Sequence, residues 1–184
     1  RLQNHINSHI LKKYFIQLLI RLNKYISNSG VCSRREADVL ISDGQIMINN
    51  IVVTALGTKV NLGDEVTYNG KILKAEKHKY ILINKPKNCI TTVKDTHDRK
   101  TVMDIIDGAC IERLYPVGRL DRDTTGLLLM TNDGDLTKRL THPSYGVKKK
   151  YVIQLENSIH PDCLKEMVSG IQLEDGEVKY DEVK

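Results

Sequence analysis

Residues 118–134 run Gly118-Arg119-Leu120-Asp121-Arg122-Asp123-Thr124-Thr125-Gly126-Leu127-Leu128-Leu129-Met130-Thr131-Asn132-Asp133-Gly134, and the second half of the chain is organised around them. Leu127–Met130 is an apolar run bounded by Gly126 and by turn-forming residues, which predicts a short buried strand. Two aspartates and two arginines lie interleaved just before it. A neighbouring guanidinium favours the ionised form of a carboxyl group. An ionised carboxylate on a loop at the mouth of a buried strand is suited to act as a nucleophile or base.

The order of these residues narrows the interpretation. Gly-Arg-Leu-Asp, then Thr-x-Gly-Leu-Leu-Leu, then Thr-Asn-Asp-Gly, resembles the active-site motif of the RsuA/RluB type of pseudouridine synthases. The resemblance implies that Asp121 is the catalytic carboxylate, which attacks the target uridine. Arg119 is then expected to brace the RNA or to fill the gap left by the extruded base. Two alternatives remain: a solvated loop without chemistry, and a structural ion pair of Arg119 with Asp121 or Asp123.

The composition limits the class of protein without identifying it. A chain of 184 residues can hold one ordinary domain and a small one, and its net charge of +5 leans mildly towards an anionic partner. The four cysteines form no CxxC pair and have no zinc spacing, so we expect no metal site and a reducing, cytoplasmic location. No apolar run approaches the length of a membrane span. We therefore expect no membrane partner.

Residues 1–20 form a leader whose role the sequence does not indicate. Its apolar residues can line one face of a helix. Its lack of acidic residues is typical of organelle transit peptides, but it is not enriched in arginine or serine. His5 and His9 have a spacing that can hold a metal, yet no third ligand is nearby, so we interpret them as exposed.

The segment 21–68 predicts two helices followed by a hairpin. Ser33 and Glu36 have the spacing of a capping box, and Asn49-Asn50 separates two apolar runs. The arrangement resembles the S4 RNA-binding module. Arginines in the first turn of the second helix lie where free backbone N–H groups and the helix dipole favour phosphate. The predicted RNA-binding residues here are Arg21, Lys24, Arg34 and Arg35; the alternative is a small helix-hairpin subdomain with exposed arginines.

Residues 69–79 are polar and rich in lysine, and we expect a linker there. A compact strand should follow and run into the turn Asn84-Lys85-Pro86-Lys87-Asn88. This turn resembles the segment that opens the catalytic domain of the same synthases, with Asn88 in place of a glycine. Asparagine tolerates a left-handed backbone, so we expect the turn to persist. Lys85 has two open interpretations, a phosphate contact or a lysine at a strand end.

A second basic segment follows the central motif. Lys148, Lys149 and Lys150 form the densest basic run of the chain and suit phosphate contacts. Tyr151, Ile153 and Leu155 alternate with other residues, which predicts a strand. The segment from His142 to Tyr151 again resembles the synthase family. By that resemblance Tyr151 stacks on the flipped uracil; the alternative is a strand core residue.

Taken together, these patterns predict an α+β protein. We expect a leader over residues 1–20, an S4-like module over 21–68, a linker over 69–79, and a catalytic domain with a mixed, largely antiparallel sheet over 80–184. The family carries a further C-terminal segment with a basic residue that pairs with the catalytic aspartate. Nothing after Tyr151 resembles that segment, so we expect this domain to be C-terminally incomplete and the chain alone to have little activity.

The resemblance implies isomerisation of a specific uridine to pseudouridine in ribosomal RNA, by a monomer. The reaction involves no redox change, and the sequence has no fingerprint of a nicotinamide or flavin, so no cofactor is expected. Two alternatives remain. One is a non-catalytic S4-type RNA-binding or ribosome-associated factor. The other is a magnesium-dependent phosphohydrolase, because Asp121-x-Asp123-x-Thr125 fits the Asp-x-Asp-x-Thr pattern of haloacid-dehalogenase-like enzymes.

Overall fold

The computed structural model describes residues 19–61, 63–174 and 176–184. Its α+β architecture confirms the predicted fold class. The chain divides into a first unit that ends at Val147 and a second unit, Lys148–Lys184. Residues 1–18 of the expected leader, with the two histidines, lie outside the described residues, and Ile20 opens the first strand.

The first unit begins with the two predicted helices. Strand β1 (Ile20–Arg21) leads into α1 (Leu22–Asn28), and α2 (Arg34–Ser42) follows. Ser33 caps α2 and accepts a hydrogen bond from the Glu36 amide, while the Glu36 carboxylate accepts one from the Ser33 amide. This confirms the predicted capping box, which satisfies two amide donors that the first helical turn leaves free.

A four-stranded antiparallel sheet covers these helices. Its strands are β2 (Ile46–Ile48), β3 (Ile51–Val53), β5 (Val66–Tyr68) and β6 (Lys71–Ile72), in the order β3-β2-β5-β6, while β4 (Lys59–Val60) pairs with β1. The predicted turn between β2 and β3 is confirmed, with both asparagines at positive φ. The two helices and the sheet enclose one apolar core, formed by Leu22, Ile26, Ala37, Ile41, Ile46, Val60, Val66 and Leu73.

The interval 69–79, expected to be a linker, contains ordered structure of this first module. Asn69 and Gly70 form a left-handed turn into β6, and Leu73 is buried in the first core. The amide of Glu76 donates to the carbonyl of Asn28 at the end of α1, 2.8 Å away. The backbone of this interval therefore follows the first module as far as residue 76.

A second sheet lies in the rest of the first unit. It consists of β7 (Tyr80–Lys85), β8 (Tyr115–Pro116) and β9 (Gly126–Thr131), all antiparallel, in the order β7-β9-β8. Three short helices accompany it: α3 (Val102–Ile105), α4 (Gly134–Thr141) and a 3-10 helix (Pro143–Tyr145). A second apolar core forms against one face of the sheet, from Cys89, Val102, Ile106, Leu114, Leu128 and Met130.

The strand predicted from the central motif is present as β9, but it is buried on one face only. Leu128 and Met130 point into the second core, whereas Leu127 is 75% exposed. Leu82, on the paired strand β7, is 63% exposed. An antiparallel sheet can pack a core on one side and leave the other open. The continuous apolar run therefore overstated the burial of this strand.

The second unit contains α5 (Pro161–Ser169) and a hairpin of β10 (Ile171–Leu173) with β11 (Gly176–Val178). Pro161 occupies the first turn of this helix, where a missing amide donor costs no hydrogen bond. The strand predicted at Tyr151–Leu155 is absent: this segment forms neither helix nor strand, and Val152 is 91% exposed. Alternation gives a segment two different faces, but a strand also needs a hydrogen-bonding partner, and no described segment pairs with this one.

In the described part of the chain, no helix combines the length and apolar character needed to cross a lipid bilayer.

Candidate active site

Asp121 lies on the loop that joins β8 to β9. The amide of Val117 donates to the carbonyl of Leu129, 2.8 Å away, which carries the pairing with β9 past the end of β8. Gly118 then turns the chain with φ +82, a conformation that L side chains rarely adopt. The Asp121 carbonyl accepts a hydrogen bond from the Thr124 amide, 3.1 Å away. Asp121 is thus held in a tight turn, with its side chain exposed.

The residue before Asp121 is fixed by Thr91. The Thr91 hydroxyl donates to the Leu120 carbonyl over 2.7 Å and accepts from the Leu120 amide at 3.2 Å. Thr91 is itself positioned by Ile90, whose amide donates to the Lys100 carbonyl and whose carbonyl accepts from the Val102 amide. No local pattern indicates that a threonine about thirty positions upstream holds the loop of Asp121, so sequence reasoning missed it.

The residue after Asp121 is fixed by Lys85. Its ammonium donates to the carbonyls of Arg122 (3.0 Å), Cys89 (2.7 Å) and Pro86 (3.0 Å), and its side chain is fully buried. This burial disfavours the phosphate contact predicted for Lys85 and favours the alternative, a lysine at a strand end. The ammonium has three N–H donors, all three are used, and no part of the side chain reaches solvent.

Cys89 and Asn88 make two further hydrogen bonds with Arg122. The amide of Cys89 donates to the Arg122 carbonyl at 3.3 Å, and burial raises the pKa of the Cys89 thiol, which favours the neutral thiol. Asn88 adopts the expected left-handed conformation, with φ +56. Its side-chain oxygen accepts a hydrogen bond from Nη2 of Arg122, 3.1 Å away.

Asp121 lines a surface depression with a volume of about 500 Å³. The depression is lined by Ile90, Thr91, Arg119, Leu120, Asp121 and Arg122. Arg119, Arg122 and Asp123 are exposed like Asp121, and no ion pair among the described residues includes any of these four charges. The predicted alternative, a structural ion pair of Arg119 with Asp121 or Asp123, is therefore not formed. Both arginines are available to an anionic ligand.

The loop 95–100 carries two charges that pair with each other. Asp95 accepts hydrogen bonds from the side chain and the amide of Arg99, which hold the pKa of its carboxyl well below the ordinary value. The guanidinium of Arg99 is neutralised by this pair, with 2.7 Å between Nη2 and Oδ1. The contacts of Asp95 with Arg99 thus lie within the loop 95–100 itself.

The predicted RNA-binding residues of the first module differ in availability. Arg21, Arg34 and Arg35 are exposed, and Arg34 donates to Oδ1 of Asn23 at 3.4 Å. Lys24 is occupied, because its ammonium lies 2.6 Å from Oδ1 of Asp135 at the start of α4. The RNA-binding roles of these side chains stay predictions.

The remaining predicted site residues belong to the second unit. Lys148, Lys149, Lys150 and Tyr151 are all exposed, and Tyr151 retains 59% of its accessible surface. The stacking role of Tyr151 and the phosphate contacts of the lysines stay predictions.

The loop geometry does not match the phosphohydrolase alternative. That pattern needs a buried strand directly before the first aspartate, whereas β8 ends at Pro116 and a loop precedes Asp121. The strand of this motif follows the aspartates, as β9. In residues 19–61, 63–174 and 176–184 there is no group of three or more histidine, cysteine or carboxylate side chains that could hold a metal ion.

Two family profiles match the chain. The profile described as RNA pseudouridylate synthase matches residues 79–182, and the S4 domain profile matches residues 20–66. The second range agrees with the predicted S4-like module.

Several curated relatives are similar over most of the chain. An uncharacterized RNA pseudouridine synthase of Aquifex aeolicus is 43% identical over 90% of the chain and 67% of the relative. The ribosomal large subunit pseudouridine synthase B of Bacillus subtilis is 42% identical over 85% and 64%. The dual-specificity RNA pseudouridine synthase RluF of Escherichia coli is 36% identical over 84% and 53%. The chain spans about two thirds of the length of the first two relatives.

A solved structure shares the fold. The crystal structure of a pseudouridylate synthase superimposes with a TM-score of 0.55 at 29% sequence identity, covering 87% of this chain and 70% of the other. The profile match extends over more than half of the chain, and it includes the loop that carries Asp121. This chain belongs to the RNA pseudouridylate synthase family and carries an S4 domain at its N-terminal side.

Proposed function

We propose that this protein isomerises a uridine of ribosomal RNA to pseudouridine, with Asp121 as the catalytic carboxylate. One observation carries the proposal. Asp121 projects into an open depression, while hydrogen bonds from Thr91 and Lys85 fix the backbone of the residue on each side of it. A reactive group that is already in place pays less entropy to reach the geometry of the reaction.

The reaction requires few protein groups besides the Asp121 carboxylate. The bond between N1 of uracil and C1′ of the ribose breaks, the base turns over, and a bond forms between C5 and C1′. The proton lost from C5 is balanced by the proton gained at N1, so there is no net oxidation. Asp121 serves as the nucleophile, attacking either the sugar or the base, and Tyr151 stacks on the flipped uracil.

The target base must leave its stack before Asp121 can reach it. Extrusion costs a few kcal/mol, and least where the base is unpaired, which favours uridines in loops or bulges. Arg119 lines the same depression and has no ion-pair partner among the described residues, so it can support the displaced strand. The exposed arginines of the S4 domain supply further phosphate contacts away from the chemistry.

The Bacillus subtilis relative is named for the large ribosomal subunit. Large-subunit ribosomal RNA is therefore the first substrate to test. The test uses a transcript carrying tritium at C5 of uridine, because forming the C5–C1′ bond releases that label. The protein is used in excess over the transcript, so that even the slow turnover expected of this chain is detected. We expect release with wild type and none above background with Asp121→Asn, since removing a covalent nucleophile abolishes the intermediate.

Asp123→Asn is the matched control. Asp123 is an exposed carboxylate two residues away that does not line the depression and forms no ion pair within the described part of the chain. It should keep activity within about threefold of wild type. Mapping pseudouridines in the source organism with and without the gene provides a second measurement. If no site is lost in the deletion, or if Asp121→Asn still releases tritium, the assignment is wrong.

We further propose that the protein acts as a monomer in the cytoplasm, where ribosomal RNA and reduced cysteines coexist. The free thiols of Cys32, Cys89, Cys110 and Cys163 are consistent with a reducing compartment. Sedimentation of the purified chain and localisation of a tagged protein test these two points.

A further inference from the structure

Arg122 is held at three points although it lies on an exposed loop. Its carbonyl accepts hydrogen bonds from the Lys85 ammonium and the Cys89 amide, and its Nη2 donates to Oδ1 of Asn88, 3.1 Å away. The sequence assigned no role to Arg122. Two of these contacts hold the backbone, and one holds the side chain. A surface arginine normally samples many rotamers, and the hydrogen bond to Asn88 restricts that sampling.

The partner of Arg122 is neutral. Asn88 contributes an amide oxygen, and among the described residues no carboxylate lies within ion-pairing distance of the Arg122 guanidinium. Arg99 provides the contrast, because Asp95 neutralises it. Of the five N–H donors of Arg122, only one is used by Asn88. The full positive charge and most of the donors therefore remain available.

The position of this arginine indicates the class of ligand. Arg122 lines the depression next to Asp121, whose carboxylate repels the phosphates of an approaching RNA strand. A planar guanidinium binds phosphate oxygens in a bidentate manner and keeps its charge at any physiological pH. An arginine that is already ordered also loses less conformational entropy when it binds.

We propose that Arg122, held by Asn88, binds a backbone phosphate beside the target uridine, and that the residue at position 88 controls how available the guanidinium is. This inference rests on the proposed function, because it places RNA at Asp121. A neutral acceptor orients the arginine and leaves its charge free. A carboxylate at the same position would orient it equally well but would occupy it.

Four variants separate these effects. Arg122→Gln removes the charge, Asn88→Asp neutralises it in place, and Asn88→Gly removes only the anchor while keeping a residue that tolerates positive φ. Arg139→Gln is the matched control, because Arg139 is an exposed arginine on the last turn of α4 that does not line the depression. The probe is a fluorescently labelled transcript of large-subunit ribosomal RNA, titrated between about 50 and 200 mM KCl.

We expect Arg122→Gln to raise the Kd about tenfold and to reduce the slope of log Kd against log salt by about 1. Asn88→Asp should raise the Kd by a similar factor. Asn88→Gly should raise it only about twofold to threefold, with the salt slope unchanged, because the charge is still present. Arg139→Gln should stay within about twofold of wild type.

Each other outcome overturns the proposal. If Arg122→Gln changes the urea midpoint but neither Kd nor salt slope, the arginine is only a loop brace. If Asn88→Asp binds like wild type, residue 88 does not control the charge, and this variant decides the matter even if Arg122→Gln fails to fold. If Arg139→Gln produces the same slope change, or the wild-type chain does not bind the transcript, no phosphate site has been found at Arg122.

RNA affinity and tritium release are measured in separate assays. The phosphate site and the proposed function can therefore be disproved independently of each other. A wild-type chain that binds with the predicted pattern but releases no tritium would remove the proposed function and leave the phosphate site. A chain that releases tritium while Arg122→Gln has wild-type affinity and salt slope would do the reverse.

Discussion

Lys85 buries a positive charge, and no carboxylate of the described residues pairs with it. Its ammonium is instead surrounded by three backbone carbonyls, which come from the turn after β7 and from the loop of Asp121. A buried charge is tolerated when every donor is satisfied and the surrounding dipoles point their negative ends at it. One side chain thus ties two segments that lie 37 positions apart in the chain.

Lys85→Met tests this role at the residue scale. Methionine matches the volume of the buried stem but leaves the carbonyls of Pro86 and Cys89 without the only partner that the described structure gives them. We expect the free energy of unfolding to fall by about 2 kcal/mol, as for buried acceptors that lose their donor. Urea unfolding followed by circular dichroism measures this loss.

Lys87→Met is the control for that substitution, because Lys87 is an exposed lysine in the same turn. It should change the free energy of unfolding by less than about 0.5 kcal/mol. Equal effects of the two substitutions would show that burial of Lys85 is not what stabilises the loop. In the Lys85 variant we also expect slower tritium release, since the backbone beside Asp121 is no longer held.

Among the elements, helix α4 begins with a cap that also joins the second sheet. Asp133 accepts hydrogen bonds from the amides of Asp135 (3.1 Å) and Leu136 (2.9 Å), and from the hydroxyl of Tyr80 on β7 (2.9 Å). The Leu136 amide contributes most to holding the pKa of the Asp133 carboxyl below its ordinary value. A carboxylate at a helix N-terminus is also favoured by the helix dipole.

This cap makes the stability of the fold depend on pH. Because the pKa of Asp133 is lower in the folded state, the unfolded chain binds the proton more readily, and folding is favoured above the unfolded pKa of about 4. The contribution is lost as the pH falls through the lower folded value. Asp133→Asn should therefore have a lower urea midpoint than wild type at pH 7, and the difference should shrink below about pH 4.

Asp107→Asn controls for the loss of one negative charge, because Asp107 is exposed and belongs to no ion pair among the described residues. Its urea midpoint should follow wild type across the whole pH range. A difference between wild type and Asp133→Asn that persists unchanged at pH 3 would mean that the cap does not act through its charge.

At the scale of the whole first unit, the S4 domain and the second sheet are joined by polar contacts. The ammonium of Lys24 on α1 lies 2.6 Å from the carboxylate of Asp135 on α4. Nearby, the side chain of Asn132 accepts from the Lys79 amide (2.8 Å) and donates to the Lys77 carbonyl (3.0 Å). Exposed ion pairs contribute little to stability, so Asp135 does more to occupy Lys24 than to hold the two parts together.

Asp135→Asn should free Lys24 for RNA. We expect the Kd for a large-subunit ribosomal RNA transcript to fall about twofold to threefold at low salt, because one more ammonium can neutralise a phosphate. The gain should disappear when Lys24→Gln is added to Asp135→Asn. Asp107→Asn removes the same charge elsewhere, and if it improves binding equally, the effect is one of net charge and not of the ion pair.

Local signals accounted for much of the architecture. The Ser33–Glu36 capping box, the Asn49-Asn50 turn and the left-handed Asn88 were all predictable, and all are present. Each depends on hydrogen bonds or steric preferences among residues a few positions apart. The central motif likewise placed a strand after the aspartates and an exposed loop before it.

Other features required the folded chain. The alternating residues at Tyr151–Leu155 predicted a strand, but no described segment pairs with them. The apolar run of β9 did not indicate that Leu127 would be exposed. The sequence did not indicate that Lys85 would be buried. In the fold its ammonium donates to the carbonyl of Arg122, on a loop that is distant in the chain. Pairing, burial and the fixing of Asp121 depend on groups such as Thr91 that come close only through folding. The residues near one another in the chain therefore determined the family, the caps and the turns, and they predict Asp121 as the catalytic carboxylate. Long-range packing alone decided how that carboxylate is held, because its supports lie about thirty positions away.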